Sequence, residues 1–563
     1  MVLAYRRPNL FFLARFTIVL ISISYLKEKQ CDAFLSSSQV VFKKQCLSQI
    51  DGSRTQVRAN SQLDSPVVIE RDGQNIIDSP DSWIAEGIEK HLVDTNISID
   101  STIEEKKPGL NENERFRCDS SVQLWRDFRA DGSFEDLRRA QKLITAASSY
   151  SSSGGLRRQA YWSSHLLRTT YFLGNAVVGM MAKDLNDRRK KRSISTDDNA
   201  DGAISTTKGS SIANIAKSGL VARMLLEVAI VYNQDWRWIE SKSINFPWDA
   251  LVTDQNKNEI KIQLDHKQNS PLFALLETSR LIRESVGIFS RRDKLGGSPS
   301  EPWLDRKKTA SAMAYPEYYF NDFHYQTDGW MSSSSASVYE VSTETLFLGK
   351  QDAMQRQTLI PLVQHFENDE SPAAILEVAC GTGRFATFTR DNFPKADMTL
   401  TDLSPFYLEK ARQHDQYWMD YRGEEALKEN LINTDIKPAK FVQANAESLP
   451  FPDNSFDAVT CVYLFHELPE NARLNAISEM ARIVKPGGII VLTDSIQLGD
   501  RSDSDDRIGN FKDLNEPHYE NYISTEFSKW FENCGLVCDK KYVSSTTKTL
   551  SFIKPRNVNS SNV

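Results

Sequence analysis

The hydrophobic pattern of the chain changes character partway along. From about Ser121 to Leu185 apolar residues recur at helical spacing, with Leu166, Leu167, Tyr171, Phe172, Leu173, Val177, Val178 and Met181 threaded between His165, Arg168 and other polar positions. The cleanest apolar stretch, Thr169 to Ala182, is too short to cross a bilayer and predicts a buried helix. A second helical block runs from Ile212 to Glu240 and ends in Asp235-Trp-Arg-Trp-Ile239. Pro247-Trp248 breaks it, and Leu272 to Phe289 predicts one more amphipathic helix. The tryptophans fit a helix–helix core, or an aromatic platform for a ligand. Between the blocks, Arg188-Arg-Lys-Lys-Arg192 opens a Ser/Thr/Asp/Gly stretch to about Ser211, read as a solvated, disordered insertion or a targeting run. Residues 116–300 are thus expected to form a mainly α-helical domain with an insertion near 186–211. No catalytic spacing occurs in them.

Residues 310–366 are dense in aromatics, including Tyr318-Tyr-Phe-Asn-Asp-Phe-His-Tyr-Gln-Thr-Asp-Gly-Trp330, and predict helices over Ala336–Phe347 and Asp352–Phe366. This segment is either a lid over a substrate pocket or a packed connector. From residue 367 to 555 the pattern becomes strand alternating with helix. Ala373–Ala379 is a short apolar run suited to a strand buried on both faces of a parallel sheet. Further strands are predicted at Met398–Thr401, Lys440–Gln443, Asp457–Tyr463, Ile489–Thr493, Val537–Val543 and Thr549–Ile553. Arg384–Phe393 and Glu470–Val484 read as helices, and Lys485-Pro-Gly-Gly488 as a turn.

The first strand breaks at Gly381-Thr-Gly383, a turn at which backbone can approach a nucleotide-like ligand. With Ala386 these glycines also satisfy the dinucleotide pattern, and Asp402, after the second strand, suits a ribose in either reading. Glu377 separates the two. A carboxylate there can meet the ammonium of S-adenosylmethionine (SAM), whereas a pyrophosphate would be poorly served by it. The fourth strand ends in Tyr463-Leu-Phe-His-Glu-Leu-Pro469. His466 has an ordinary titration near neutral pH and is the candidate catalytic base, or else a histidine that caps the following helix or lines the outer edge of SAM. Glu467 reads as a first-turn helix carboxylate.

Four ordered motifs, Glu377-Val-Ala-Cys-Gly-Thr-Gly383, TDLSPFYLEKAR, LPFPDNSFD and RIVKPGG, resemble the class I SAM-dependent methyltransferases related to ubiquinone/menaquinone C-methyltransferases (methyltransferase type 11). Upstream, YYFNDFHYQTDGW, LFLGKQDAMQRQ and LFHELP resemble cyanobacterial and plastid members. The resemblance implies a seven-stranded, Rossmann-like α/β sheet ending in a reversed hairpin. It also implies that Glu377, Gly381 and Gly383 line the methionine end of SAM. Asp402 would hold the ribose, Leu403 would lie beside the adenine, and Asn445 and Ala446 would meet its edge. Asn445 stands where the family commonly has Asp. An asparagine carbonyl can still accept from the adenine amino group. No Asn/Asp-Pro-Pro-Tyr/Phe follows the fourth strand, which speaks against methylation of adenine or glutamine amino groups.

Composition bounds the rest. A net charge of −7 and a pI near 5.8 argue against a nucleic-acid partner. Seven cysteines without framework spacing argue against a disulfide scaffold, and the Cys534/Cys538 pair has no companion to complete a zinc site, so no metal is expected. Residues 1–33 read as a signal peptide: Arg6 and Arg7, the apolar run Phe16–Leu26, then Cys31 and Ala33 before a cleavage point. Residues 34–115 read as a Ser-rich, basic transit peptide followed by a disordered linker. This bipartite leader resembles those of algae with complex plastids, so a plastid destination is expected, with secretion or a membrane anchor as the alternatives. No stable transmembrane span is expected in the mature chain, and peripheral contact with a plastid membrane is compatible with it. The expected activity is C- or O-methylation of a small molecule such as a plastid quinone or lipid. A protein methyltransferase and a non-catalytic SAM-binding assembly factor are the competing readings.

Overall fold

A computed structural model describes residues 112–148, 158, 161–174, 219–245, 252–254, 259–261, 315–321, 323–326, 328–367, 374–428, 436–509 and 515–556. The expected leader at 1–33, nearly all of the segment 34–115, the insertion near 186–211 and the helix at 272–289 lie outside the described residues.

The α/β architecture expected from the sequence is present. Its sheet comprises β1 (Arg117–Cys118), β2 (Ala374–Val378), β3 (Asp397–Asp402), β4 (Lys440–Gln443), β5 (Phe456–Val462), β6 (Val484–Ser495), β7 (Val537–Ser544) and β8 (Thr547–Ile553). The spatial order is β1-β7-β8-β6-β5-β2-β3-β4. Strands β4, β3, β2, β5 and β6 run parallel, and β8 is antiparallel to both β6 and β7. That is the seven-stranded sheet with a reversed terminal hairpin. It carries an eighth strand that the sequence reading lacked: β1 pairs in parallel with β7, Arg117 opposite Lys540.

The central strands form because their apolar runs are buried on both faces. Ile375, Leu376, Ala458, Val459, Ile489, Ile490 and Val491 are all fully covered. Two elements differ from expectation by more than a shifted end. The predicted Asp352–Phe366 helix is two helices, α5 (Gln351–Arg356) and α6 (Leu359–Phe366). Pro361 lacks the N–H that would bond back to Gln357, and is tolerated only within the first turn of a new helix. The Lys485–Gly488 turn lies within β6, where the register against β5 slips between Phe456 and Ala458.

The helices upstream, with α2 (Phe134–Ser148) and α4 (Ser333–Leu346) among them, pack onto this sheet or onto neighbouring helices. Helix α1 (Ser120–Arg126) is capped by Asp119, whose carboxylate accepts from Ser121 N at 2.8 Å. Helix α3 (Leu220–Glu240) is buried nearly all round from Leu226 onward, with Leu226, Val228–Tyr232, Trp236 and Trp238 covered together with the polar Glu227, Asn233, Gln234 and Asp235. Its Gln234 accepts from Trp125 Nε1 at 3.1 Å and donates to the Val543 carbonyl of β7 at 2.9 Å. Asp235 pairs with Arg356 of α5, and Glu227 pairs with Lys350 and Arg501.

Candidate functional site

The chain leaves β2 for β3 and β4 on one side and returns to β5 on the other, so the switch point of the sheet lies at the carboxyl ends of β2 and β5. Non-glycine residues adopt left-handed backbone just past both strands, Ala379 at φ 54° and Tyr463 at φ 56°. Strain of this kind costs of order 1–3 kcal/mol and concentrates at functional sites.

After β2, Gly381 and Gly383 both have positive φ, but for different reasons. A Cβ on Gly381 would meet nothing within 4 Å, so that backbone borders open space. A Cβ on Gly383 would lie 2.8 Å from the Ala411 Cβ of α8 (Pro405–Lys428), so this glycine permits α7 (Arg384–Asn392) to approach α8. Glu377, near the end of β2, is 1% exposed, and its Oε2 has no hydrogen-bond partner. Burial, helped by the charge of Asp402, pushes its carboxyl up to about 8. Asp402, the last residue of β3, accepts from Gly381 N at 2.9 Å through Oδ2 and from Ser404 N at 2.8 Å through Oδ1. Burial still outweighs those bonds and raises it to about 6. Each of its oxygens keeps a lone pair for a further donor.

Past β3, the Leu403 carbonyl accepts from Gln443 at 3.0 Å. Asn445 closes a turn, its Oδ1 accepting from Glu447 N at 3.0 Å, and half-buried Ala446 packs beside it. The aromatic segment is laid along this edge. Tyr318 donates to Glu447 Oε1 at 2.7 Å, Gln443 donates to Tyr315 OH at 3.1 Å, and Ser404 bonds the Trp330 carbonyl. Gln326 bonds Tyr407 OH at 2.7 Å. The seven residues proposed for SAM therefore fall along the ends of β2, β3 and β4. The orphaned Glu377 oxygen, the open space at Gly381 and the spare acceptor capacity of Asp402 suit a ligand with an ammonium group and a ribose.

His466 lies apart from these, in the short turn Phe465–Glu467 after β5. Its Nδ1 is 2.6 Å from Asp494 Oδ1 at the end of β6. Asp494 is itself fixed by Phe465 N at 2.7 Å and Ser495 N at 2.7 Å. Burial opposes protonation of His466, but the charge and hydrogen bond of Asp494, with Glu516 and Glu467 nearby, raise it to about 10. The near-neutral titration expected of His466 is therefore displaced by its carboxylate partner. A second pair stands close by. His324 Nε2 is 2.8 Å from Glu516 Oε1, and it too is raised above its ordinary value against its burial. Sequence reasoning found neither Asp494 nor Glu516, because both carboxylates reach their histidines only through the fold. His324, at φ 56° inside an aromatic segment, was visible as a lone histidine without a role.

A methyltransferase domain family matches residues 375–488. The demethylmenaquinone methyltransferase of Deinococcus radiodurans is 31% identical over 162 residues, 29% of this chain and 57% of that protein. The ubiquinone/menaquinone biosynthesis C-methyltransferase UbiE of Hahella chejuensis is 28% identical over 160 residues, 28% of this chain and 55% of that protein. The chain thus spans little more than half the length of these relatives. A TehB-like SAM-dependent methyltransferase structure from Corynebacterium glutamicum is 18% identical, covers 40% of this chain and 100% of that one, and has a TM-score of 0.26. The strand order, the matched domain and the motifs on β2, β3 and β6 make the C-terminal part of this chain a class I SAM-dependent methyltransferase domain.

Proposed function

We propose that the chain transfers a methyl group from SAM to a small hydroxylated aromatic acceptor of the quinol type. The observation that carries this reading is the juxtaposition of a SAM-type edge at β2–β4 with a second, acid–base edge at β5–β6 lined by aromatic rings. When bound, SAM supplies an electrophilic methyl with its own leaving group, so the residues around it have mainly to position the acceptor. Glu377 would face the ammonium, Asp402 the ribose hydroxyls, Leu403 and Ala446 the adenine faces, and Asn445 the adenine edge.

On the acceptor side, Trp330, Tyr339 and Tyr407 contact one another edge to face, with centroids 5.3–5.6 Å apart. A flat ring suits such walls. Tyr463, Tyr519 and Tyr522 meet the His466 ring edge to face at 6.1–6.3 Å, and the paired carboxylates raise both His466 and His324 above their ordinary values, which favours an acceptor that passes through an oxyanion over one that becomes an ammonium. Relatives named for demethylmenaquinone agree with that class. The plastid destination expected from the leader belongs to the same reading.

The test uses the full chain, SAM labelled in its methyl group, and 1,4-naphthohydroquinone kept reduced. Label is expected in the organic extract. Label found only in added protein would contradict the small-molecule reading and favour a protein methyltransferase.

A further inference from the structure

One carboxylate of the acceptor edge is left without a structural task. Glu467 follows His466 directly, yet it makes no short hydrogen bond, and its closest ionic neighbour is His466 Nε2 at 3.8 Å. Its side chain is 13% exposed, so it is neither sealed in the core nor free in solvent. Four groups surround it electrostatically: His466 and Asp494 from the β5 and β6 ends, and His324 and Glu516 from the two loops laid over them. Tyr339 and Tyr407 locate it further. Both phenols lie within electrostatic reach of Glu467 and of Asp402. The Oε2 of Glu516, a residue 2% exposed, has no hydrogen-bond partner and lies at this same cluster.

We propose that Glu467, rather than His466, is the catalytic residue that takes the acceptor's hydroxyl proton, with His466–Asp494 and His324–Glu516 as charged positioning pairs on either side. The assignment rests on the methyl-transfer reading above. Geometry distinguishes the candidates: His466 Nδ1 is committed to Asp494 at 2.6 Å, whereas the nearest ionic neighbour of Glu467 is His466 Nε2 at 3.8 Å. Electrostatics agrees. Burial, with Glu516 and Asp494, raises Glu467 to about 7, while His466 and His324 pull in the other direction. A general base is most effective when it titrates near the working pH. The step balances simply. The acceptor O–H bond breaks and its proton passes to a Glu467 oxygen. The electron pair of the resulting oxyanion, at oxygen or conjugated ring carbon, forms the bond to the methyl carbon as the carbon–sulfur bond breaks. That bond's pair stays on sulfur, turning the sulfonium into a neutral thioether. In ring methylation, the displaced ring proton leaves to solvent as Glu467 returns its own to oxygen; in oxygen methylation Glu467 sheds its proton to solvent.

The test compares wild type, Glu467→Gln and His466→Gln as full chains. The readouts are S-adenosylhomocysteine (SAH) binding, carboxyl infrared difference spectra against pH, and methyl transfer to 1,4-naphthohydroquinone against pH. Glu467→Gln should bind SAH as wild type does and lose one infrared carboxyl titration near neutral pH. It should also lose roughly 100-fold or more in transfer rate, together with the acid limb of the profile. His466→Gln should keep that limb but shift it upward, because a positive neighbour that favours ionised Glu467 is gone. A wild-type rate and limb in Glu467→Gln, or loss of the limb in His466→Gln alone, overturns the assignment. SAH binding without transfer to the hydroquinone by wild type overturns the acceptor class. Absence of SAH binding by wild type overturns the underlying reading instead.

Discussion

Glu377 is buried and Asp402 half-buried, and both carboxyls are held above the ordinary carboxylate range. A ligand that brings an ammonium to the first and hydroxyl donors to the second favours the ionised form of each. Binding must therefore expel whatever protons they carry, and affinity rises with pH while either is still titrating. SAH affinity measured by calorimetry is expected to increase roughly tenfold or more between about pH 5.5 and about pH 8.5, since each pK unit of linkage is a factor of ten. Glu377→Gln should flatten the upper part of that rise, where Glu377 titrates, and leave the lower part that belongs to Asp402. Affinity that falls with pH would contradict both assignments. These two residues were legible in the sequence because each ends a strand at a fixed distance from the glycine turn. Asp494 and Glu516 were not. Nothing in the local sequence around an aspartate in Leu492-Thr-Asp-Ser495 marks it as the partner of a histidine 28 residues away.

At the scale of elements, the strands were the readable part. A strand buried on both faces must be apolar throughout, so β2, β5 and β6 announce themselves as short runs between turn residues. The boundaries of β2 and β5 shifted by a residue, β6 took in the expected Lys485–Gly488 turn, and Pro361 divided a helix that periodicity alone had joined. Strand β1 carried no signal, because two exposed residues, Arg117 and Cys118, have no pattern to read. It exists because β7 offers an edge and Phe116 finds the Phe552 ring, at 5.5 Å between centroids. The turn after β5 is the element whose meaning changed most. Read from sequence, it offers one histidine and one helix-start carboxylate. Folded, the turn aims Nδ1 of His466 at Asp494 and leaves Glu467 with no ionic neighbour nearer than 3.8 Å, so two adjacent residues acquire different tasks.

At the scale of the molecule, helix α3 and the sheet are joined by buried charge. Glu227 accepts from Lys350 at 3.1 Å, from Arg501 at 3.0 Å and from Ser545 at 3.1 Å, and those charges hold its carboxyl well below the usual range despite its burial. The replaced residue would leave two buried cations short of their counter-charge. Glu227→Ala is therefore expected to destabilise the chain by about 3–5 kcal/mol, read from chemical denaturation. A loss below about 1 kcal/mol would mean that α3 is not held by this network. Among the described residues no helix is long and apolar enough to cross a membrane. A second charge cluster reaches the cofactor edge. Arg168, in the helical segment 161–174, pairs with Asp352 at 2.8 Å, and Asp352 pairs with Arg384 in the first turn after Gly383. The upstream helices thus brace the loop that the methyltransferase motif supplies.

The claim on which everything else stands is that the ends of β2–β4 form a SAM site, and calorimetric titration of the full chain with SAH, beside an identical titration with NADH, tests it most directly. One SAH bound per chain, no heat from NADH, and SAH affinity lowered at least tenfold by Asp402→Ala are the expected results. NADH binding in place of SAH, or SAH affinity unchanged in Asp402→Ala, would contradict that claim.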